Sequence, residues 1–343
     1  MRRYTSLLLT AFILVLLVVA GSAYLAGSSD RTEKTKTVQS LTVYTTLPAE
    51  HAALLAEEYE KTNKVRVNFV PLAEKDLLQK LQTKDGEAEG DMVLADQATL
   101  RRAAADGRFA PYTSENSDSI AEQFKDADGY WTGVWYDPVV FCVNRDYLRS
   151  IPRIPNTWSA LAGFTGVRIG LTDFLASDAA SNLFFSMMAQ FGDTTTYQIL
   201  RQLHPKVVQY AKYLSTPVRM AGMGEVDVSI AVQSETLRYI NDGYPLQIIY
   251  PADGTAYMLT GMGILKNSRN STAAKEFAEW LIRDDAQLVL QKNNFFFVPV
   301  NPATLAYKTF AGKNIILFDQ PQEFSAEQRH SLLDRWVKNI RLK

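Results

Sequence analysis

W-T-G-V-W-Y-D-P-V-V-F-C-V, Trp131 to Val143, is the stretch on which the fold turns. Gly133 and Pro138 punctuate it, three large aromatics (Trp131, Trp135 and Tyr136) crowd its first half, and a continuous β-rich run closes it. A single extended strand that leaves one lobe and enters another has this form. Trp135 and Tyr136 are adjacent, so on a strand only one of them can point at a cleft. A ring here could cover a ligand, and hinge packing is the alternative reading. Cys142 is the one cysteine of the chain, and it lies inside the apolar run. With no partner for a disulfide and no basic neighbour to activate a thiolate, it is predicted to be a core residue.

Upstream of this strand the pattern alternates. Leu41 to Tyr44 reads as a strand that stops at Thr45-Thr46-Leu47-Pro48, and Pro48 in a first helical position opens a helix over Ala49 to Lys61. Val65 to Val70 and Asp91 to Ala95 are further strands, and Asp76 to Thr83 and Thr99 to Asp106 further helices. Strands alternating with helices imply parallel βαβ units, whose ligands bind beyond the carboxyl ends of the strands. The turns Thr45 to His51 and Asp96 to Thr99 are therefore expected to face a ligand.

Downstream the same grammar continues. Thr157 opens a short helix, Val167 to Leu171 is a strand, Thr172 to Ser177 a polar turn, and Asp178 to Phe191 an apolar helix ending at Gly192. A helix over Thr194 to Leu203 is followed by one over Val218 to Met223, with Ser215 or Thr216 as cap and Pro217 at its start. Val226 to Val232 and Leu246 to Tyr250 are strands on either side of a helix from Ser234 to Asn241. After Asp253-Gly254 the chain returns as a strand over Met258 to Leu265, and helices over Thr272 to Arg283, Asp285 to Asn293 and Ala326 to Ile340 complete it.

The chain begins with an export signal. Arg2 and Arg3 precede an apolar run from Leu7 to Ala20, and Gly21 and Ala23 stand where a leader peptidase would need small residues. Apolar character continues to Gly27, which leaves two outcomes open: a cleaved signal peptide or a retained N-terminal anchor. Both place the remainder outside the cytoplasm, in the periplasm or on the outer face of the membrane. No cysteine closes the run, so lipid attachment is excluded. Ser28 to Gln39 reads as a linker. The 36 basic and 37 acidic residues leave no basic excess to hold nucleic acid.

Catalytic signals are absent. His51, His204 and His330 are scattered with no zinc-type spacing, and there is neither a G-x-S-x-G elbow nor a phosphate-binding loop. The chain is expected not to be an enzyme and to need no cofactor or metal.

The order L-T-V-Y-T-T, D-M-V-L-A-D-Q, P-N-T-W-S-A-L, V-R-I-G-L-T, G-E-V-D-V-S-I-A and F-V-P-V-N resembles the type II periplasmic substrate-binding proteins of ABC transporters, in particular the ferric-ion, phosphonate and sugar-phosphate branch. The resemblance runs from about Leu41 to Val300. It implies an α/β fold of two Rossmann-like lobes joined by crossing hinge strands. Lobe 1 would hold residues 41–136 with 254–300, and lobe 2 residues 137–253 with 301–343. It also implies a small-molecule ligand, ABC permease subunits as partners and a monomer. Iron-binding members carry two adjacent tyrosines where this chain has Gln233-Ser234-Glu235, so the resemblance favours an anion, with ferric ion as an alternative. A membrane-anchored accessory that presents its ligand to a signalling system is the second alternative.

Three helix starts would meet in the cleft, at Pro48, Asp178 and Pro217, each offering backbone N–H groups and the positive end of a dipole. The candidate ligand-binding set is Thr45, Thr46, Asp96, Gln97, Tyr136, Thr172, Ser177, Asp178, Ser215, Thr216, Gln233, Ser234 and Asp253. Taken singly, each hydroxyl among them is better accounted for by simple helix capping; it is the three starts together that point to a ligand. Asp96 and Asp178 suit a hydroxyl or ammonium group, so a ligand with one anionic and one hydroxylated or amine end fits the whole set.

Overall fold

The computed structural model describes residues 39–82, 90–153, 155–319 and 324–343. The leader and all but the last residue of the linker lie outside that range. Among the described residues no helix is long and apolar enough to cross a membrane.

Among the described residues eleven strands form the framework: β1 (Ser40–Thr45), β2 (Arg66–Pro71), β3 (Met92–Asp96), β4 (Phe109–Ala110), β5 (Thr132–Asn144), β6 (Ile169–Thr172), β7 (Val207–Ala211), β8 (Val228–Val232), β9 (Leu246–Ile249), β10 (Tyr257–Leu265) and β11 (Val298–Pro299). The α-helices described between and around them are α1 (Ala49–Asn63), α2 (Glu74–Gln82), α3 (Gln97–Ala105), α4 (Glu115–Asp118), α5 (Arg145–Ser150), α6 (Trp158–Gly163), α7 (Asp178–Leu203), α8 (Ser215–Gly222), α9 (Gln233–Asn241), α10 (Ser271–Leu281), α11 (Asp284–Lys292), α12 (Leu305–Ala311) and α13 (Ala326–Trp336).

The strand order is β2-β1-β3-β10-β5-β8-β6-β7. β5 is 13 residues long and buried throughout, and it belongs to both halves of this order. Its first part pairs with β10, Tyr136 opposite Leu259. Its second part pairs with β8, Val139 opposite Val232. Asp137 and Pro138 are the crossing point, where proline's missing N–H does least harm to the ladder.

Strand polarity then fixes where a cleft must be. β1, β2 and β3 are mutually parallel, and β10 runs against both β3 and β5. The first-half strands therefore run with β5 toward the crossing. β8 is antiparallel to β5 and parallel to β6, which is parallel to β7. The second-half strands run toward the crossing from the other side. Both sets of carboxyl ends, with the helix starts that follow them, face one junction.

Each half has its own core. In the first, Tyr59 meets Phe277 and Trp280 edge-on at 4.8 and 5.2 Å, tying α1 to α10 beneath the sheet. In the second, Trp158, Phe174, Phe184 and Trp336 are almost fully buried. A smaller cluster holds Cys142 with Val218, Ala221 and Leu246. Burial pushes the Cys142 thiol up to about 11, as expected of a core cysteine.

The structure departs from the sequence reading in several places. Pro48 lies just outside α1, with extended backbone at ψ 142, and contributes no side-chain cap. The break expected at Gly192 is present, by contrast: within α7 its φ of 73 and ψ of 165 are not helical, and glycine adopts them without steric cost. β7 falls where no strand was expected; with Val207, Gln209 and Tyr210 only half-buried or exposed at a sheet edge, its pattern is weak. α8 begins at Ser215, so Ser215 and Thr216 are not its caps. The Thr216 N–H turns back to the Tyr213 carbonyl and starts the helix early.

The C-terminal helix α13 packs onto the second half. Trp336 is fully buried against Phe174 at 4.8 Å, and Arg329, Arg335 and Arg341 lie over Phe185, Tyr197 and Tyr210 at 4.2 to 4.4 Å. Truncating Trp336 to alanine removes the central contact, and such core truncations cost about 3–5 kcal/mol. Urea unfolding of Trp336→Ala should show a loss of that size, with an unchanged slope if the unfolded state is unaffected.

Candidate functional site

The junction is built from turns at carboxyl ends. From the first half come the β1–α1 turn, the start of α2 and the β3–α3 turn; from the second come the turns after β6, β7 and β8. β5 and the segment between β9 and β10 form the floor.

Thr45 is fully buried and engaged: its hydroxyl donates to the Leu94 carbonyl at 2.6 Å and accepts from the Leu47 N–H at 3.0 Å. That bond shapes the turn into α1. Asp96 caps α3, accepting from the Thr99 N–H and hydroxyl at 3.0 and 2.7 Å. Ser177, not Asp178, caps α7, taking the Ala180 N–H at 3.2 Å, and it leaves Asp178 exposed in the first turn. Asp253 receives the Trp158 N–H at the start of α6, and burial raises its pKa. It thus braces the segment between β9 and β10 against the second core.

Gln233 and Ser234 are also engaged. Ser234 donates its N–H at 2.9 Å to Asp137, and its hydroxyl lies 2.5 Å from the same carboxyl group. Gln233 is fully buried; its amide donates to the Phe296 carbonyl at 3.1 Å and accepts from the Tyr250 hydroxyl at 2.6 Å.

Four hydroxyls remain open. Those of Thr46, Thr172, Ser215 and Thr216 make no hydrogen bond to another described residue. Two helix starts at the junction likewise have no side-chain cap: α1 in the first half and α8 in the second. In α8, Pro217 has no N–H and the Thr216 N–H is taken, which leaves that of Ser215. In α1 the first N–H groups, of Ala49 and Glu50, are open while that of His51 reaches the Pro48 carbonyl at 3.1 Å.

Aromatic rings line both sides of the floor. Trp135 stacks on Phe297 at 5.6 Å, and Tyr136 stacks on Phe124 at 5.2 Å with Tyr257 edge-on at 5.9 Å. Both residues of the pair are buried, as alternation on a strand places them on opposite faces. His51 is held edge-on by Phe295 at 4.0 Å, and burial lowers its pKa despite Glu50 3.7 Å away. Three polar atoms near the junction are buried without a partner: His51 Nδ1, Gln97 Nε2 and the Tyr257 hydroxyl. Such atoms are uncommon in folded proteins and mark places where water or a ligand completes the structure.

Several residues here carry no sequence signal. Glu74, at the start of α2, pairs with Arg102 at 3.4 Å; its pKa is still raised, first by burial and then by Asp96, with Asp178 of the second half contributing less. It adds a carboxylate that the sequence reading did not single out. Leu175 and Tyr213, in the turns after β6 and β7, are 61% and 63% exposed. Asp137 is hidden in sequence by its apolar surroundings. Burial pushes it up to about 7 against the stabilising bonds from Ser234.

A separate groove lies at the other end of β5, between Asn144, Tyr147, Arg168 and Asp227. The Arg168 guanidinium there is already bonded to Asp227 and to the carbonyls of Gly224 and Glu225, so it offers no open cation. Among the described residues no group of three or more His, Cys, Asp or Glu is placed to hold a metal ion.

Comparison with known proteins agrees with this architecture. The family model described as bacterial extracellular solute-binding protein matches residues 55–315. Iron uptake protein A2 of Synechocystis sp. is 27% identical over 272 residues, 72% of this chain and 77% of that protein. A probable ABC transporter periplasmic-binding protein of Sinorhizobium fredii is 23% identical over 319 residues, 88% of this chain and 86% of that one. The solved periplasmic binding protein AfuA from Actinobacillus pleuropneumoniae, with fructose-6-phosphate bound, superposes with a TM-score of 0.68 at 23% identity, over 89% of this chain and 99% of that one.

Asp137 generates a pH prediction. Its folded pKa stands above its ordinary unfolded value, so the folded state holds an extra proton between about pH 4 and the folded value of about 7. The stability this contributes is full at low pH and is lost as pH rises through 7. Thermal melts of the wild type and Asp137→Asn across that range isolate it: the difference between them should fall with pH and flatten above 7. A difference that does not vary with pH contradicts the assignment.

Proposed function

Because the chain belongs to the bacterial extracellular solute-binding protein family, we propose that it captures a small anion, phosphorylated or carboxylated, between its two lobes for delivery to an ABC permease. One observation carries the reading: uncapped helix starts and open hydroxyls reach the same junction from both halves. α1 and Thr46 approach from one side, and α8 with Thr172, Ser215 and Thr216 from the other. A phosphate or carboxylate lying between them accepts from N–H groups at the positive ends of two dipoles. Charge-assisted bonds of this kind are roughly twice as strong as neutral ones.

Asp96, Asp178 and Glu74 bear on the other end of the ligand. Three carboxylates repel a second anionic group and accept from hydroxyl or ammonium donors. The preferred ligand therefore has an anionic head and a hydroxylated or amino body. Bridging both lobes favours the closed form, and closure expels water, which strengthens every polar contact inside. Export by the N-terminal segment would put this work outside the cytoplasm, where the permease meets the closed form.

Ferric ion is the second reading, favoured by the Synechocystis relative's name and by tyrosines near the crossing. Tyr250 and Tyr257 both bear on Tyr136 there, and the Tyr257 hydroxyl has no partner. Burial raises all three, so as free phenols they stay protonated, and a ferric ion would have to displace those protons.

A calorimetric and thermal-shift series with inorganic phosphate, fructose 6-phosphate, an aminoalkylphosphonate, citrate and ferric citrate separates these readings. The anion reading expects stabilisation by one of the iron-free anions. It also expects Ser215→Ala/Thr216→Ala to weaken that binding by roughly 10-fold or more, since a hydrogen bond to a charged group contributes about 1.5–3 kcal/mol. Stabilisation by ferric citrate alone, abolished in Tyr257→Phe, contradicts it.

A further inference from the structure

The start of α9 is unlike the other helix starts at the junction. Its N-cap position is Val232, which has no side chain able to cap, yet its first N–H groups are not open. Asp137 supplies the missing oxygen from β5. Its carboxyl group faces the N–H groups of Gln233 and Ser234 and the Ser234 hydroxyl, in a place where only 8% of the residue is exposed. The charged or titratable groups around it are Glu235 on α9 itself and Tyr250 on the segment after β9. No cation is among them. The positive end of the α9 dipole and the three donors are what stabilise the carboxylate form.

The placement of this contact gives it consequence. Asp137 is on the crossing strand, paired with Met258 in the first sheet two residues before Val139 joins Val232 in the second. The residue beside Ser234 reaches the two other segments of the junction. Gln233 takes the Tyr250 hydroxyl on the second crossing segment, and it donates to the Phe296 carbonyl just before β11 of the first half. At the far end of α9, Asn241 donates to Asn294 of the same first-half segment at 3.0 Å. One nine-residue helix thus touches the crossing strand, the segment after β9 and the first-half segment before β11.

We propose that the Asp137 carboxyl group is the internal cap of α9 and a positioning residue of the hinge, filling the helix start that would otherwise stand open and fixing α9 against both crossing segments. The external ligand is left to the uncapped starts of α1 and α8. This assignment does not depend on which ligand binds, because it concerns the orientation of the lobes in the free protein.

The test is a distance measurement in the free protein. Spin labels at Glu57→Cys on α1 and Arg201→Cys on α7 report the lobe separation, since both positions are exposed and Cys142 is fully buried. The wild type should give one narrow distribution. Asp137→Ala should broaden or displace it, and Ser234→Ala should shift it less, because the Ser234 N–H still reaches the carboxylate. Formate, the size of the deleted group, should narrow the Asp137→Ala distribution and raise its melting temperature while leaving the wild type unchanged. Asp137→Asn keeps an acceptor oxygen without the charge, so it should lie between wild type and Asp137→Ala and not respond to formate. If Asp137→Ala does not fold, Asp137→Asn and Ser234→Ala still decide. Distributions in these two that overlay the wild type, or a formate response equal in wild type and Asp137→Ala, overturn the proposal.

Discussion

One strand belonging to two sheets is the constraint from which the rest follows. β5 pairs with β10 over its first part and with β8 over its second, and it does so without a break in burial. Because its neighbours in the second half run against it, carboxyl ends from both halves converge on its middle. Helix dipoles converge with them. The cleft is therefore a consequence of strand polarity, and the residues that line it are those that happen to follow strands at that end.

At this junction the molecule distributes its helix starts in two ways. Those of α3 and α9 are closed by carboxylates, Asp96 and Asp137, and that of α7 by Ser177. Those of α1 and α8 have no side-chain cap. The distinction is energetic: a capped start has its donors satisfied within the protein, whereas an uncapped one gains when an anion arrives. Selecting the open starts narrows a broad list of hydroxyls to a few, and it assigns Gln233 and Ser234 to contacts inside the protein.

Much of the scaffold was legible in the sequence, because alternation and helical periodicity are local signals. The crossing strand announced itself through Pro138 within an apolar run, and the β1 and β3 turns through their position after strands. What escaped were features set by distant partners. β7 is an edge strand with weak burial contrast, so its pattern carries little. α8 starts early because of a backbone bond to Tyr213, which no cap residue signals. Asp137 and Glu74 matter through residues far along the chain, Ser234 and Asp178, and nothing in their neighbours records that. The caps were readable as hydroxyls but not as engaged or open, since Thr45 and Thr46 are neighbours in sequence with different fates.

The central claim is that one small anion is held by helix starts from both halves at once. Amide hydrogen exchange of the full chain with and without fructose 6-phosphate or inorganic phosphate tests it most directly, because bound donors exchange slowly. The account predicts that a binding anion protects residues 46–52 and 215–222 together, at the same ligand concentration. Protection confined to one of these segments, or falling instead around the groove of Asn144 and Arg168, would contradict it.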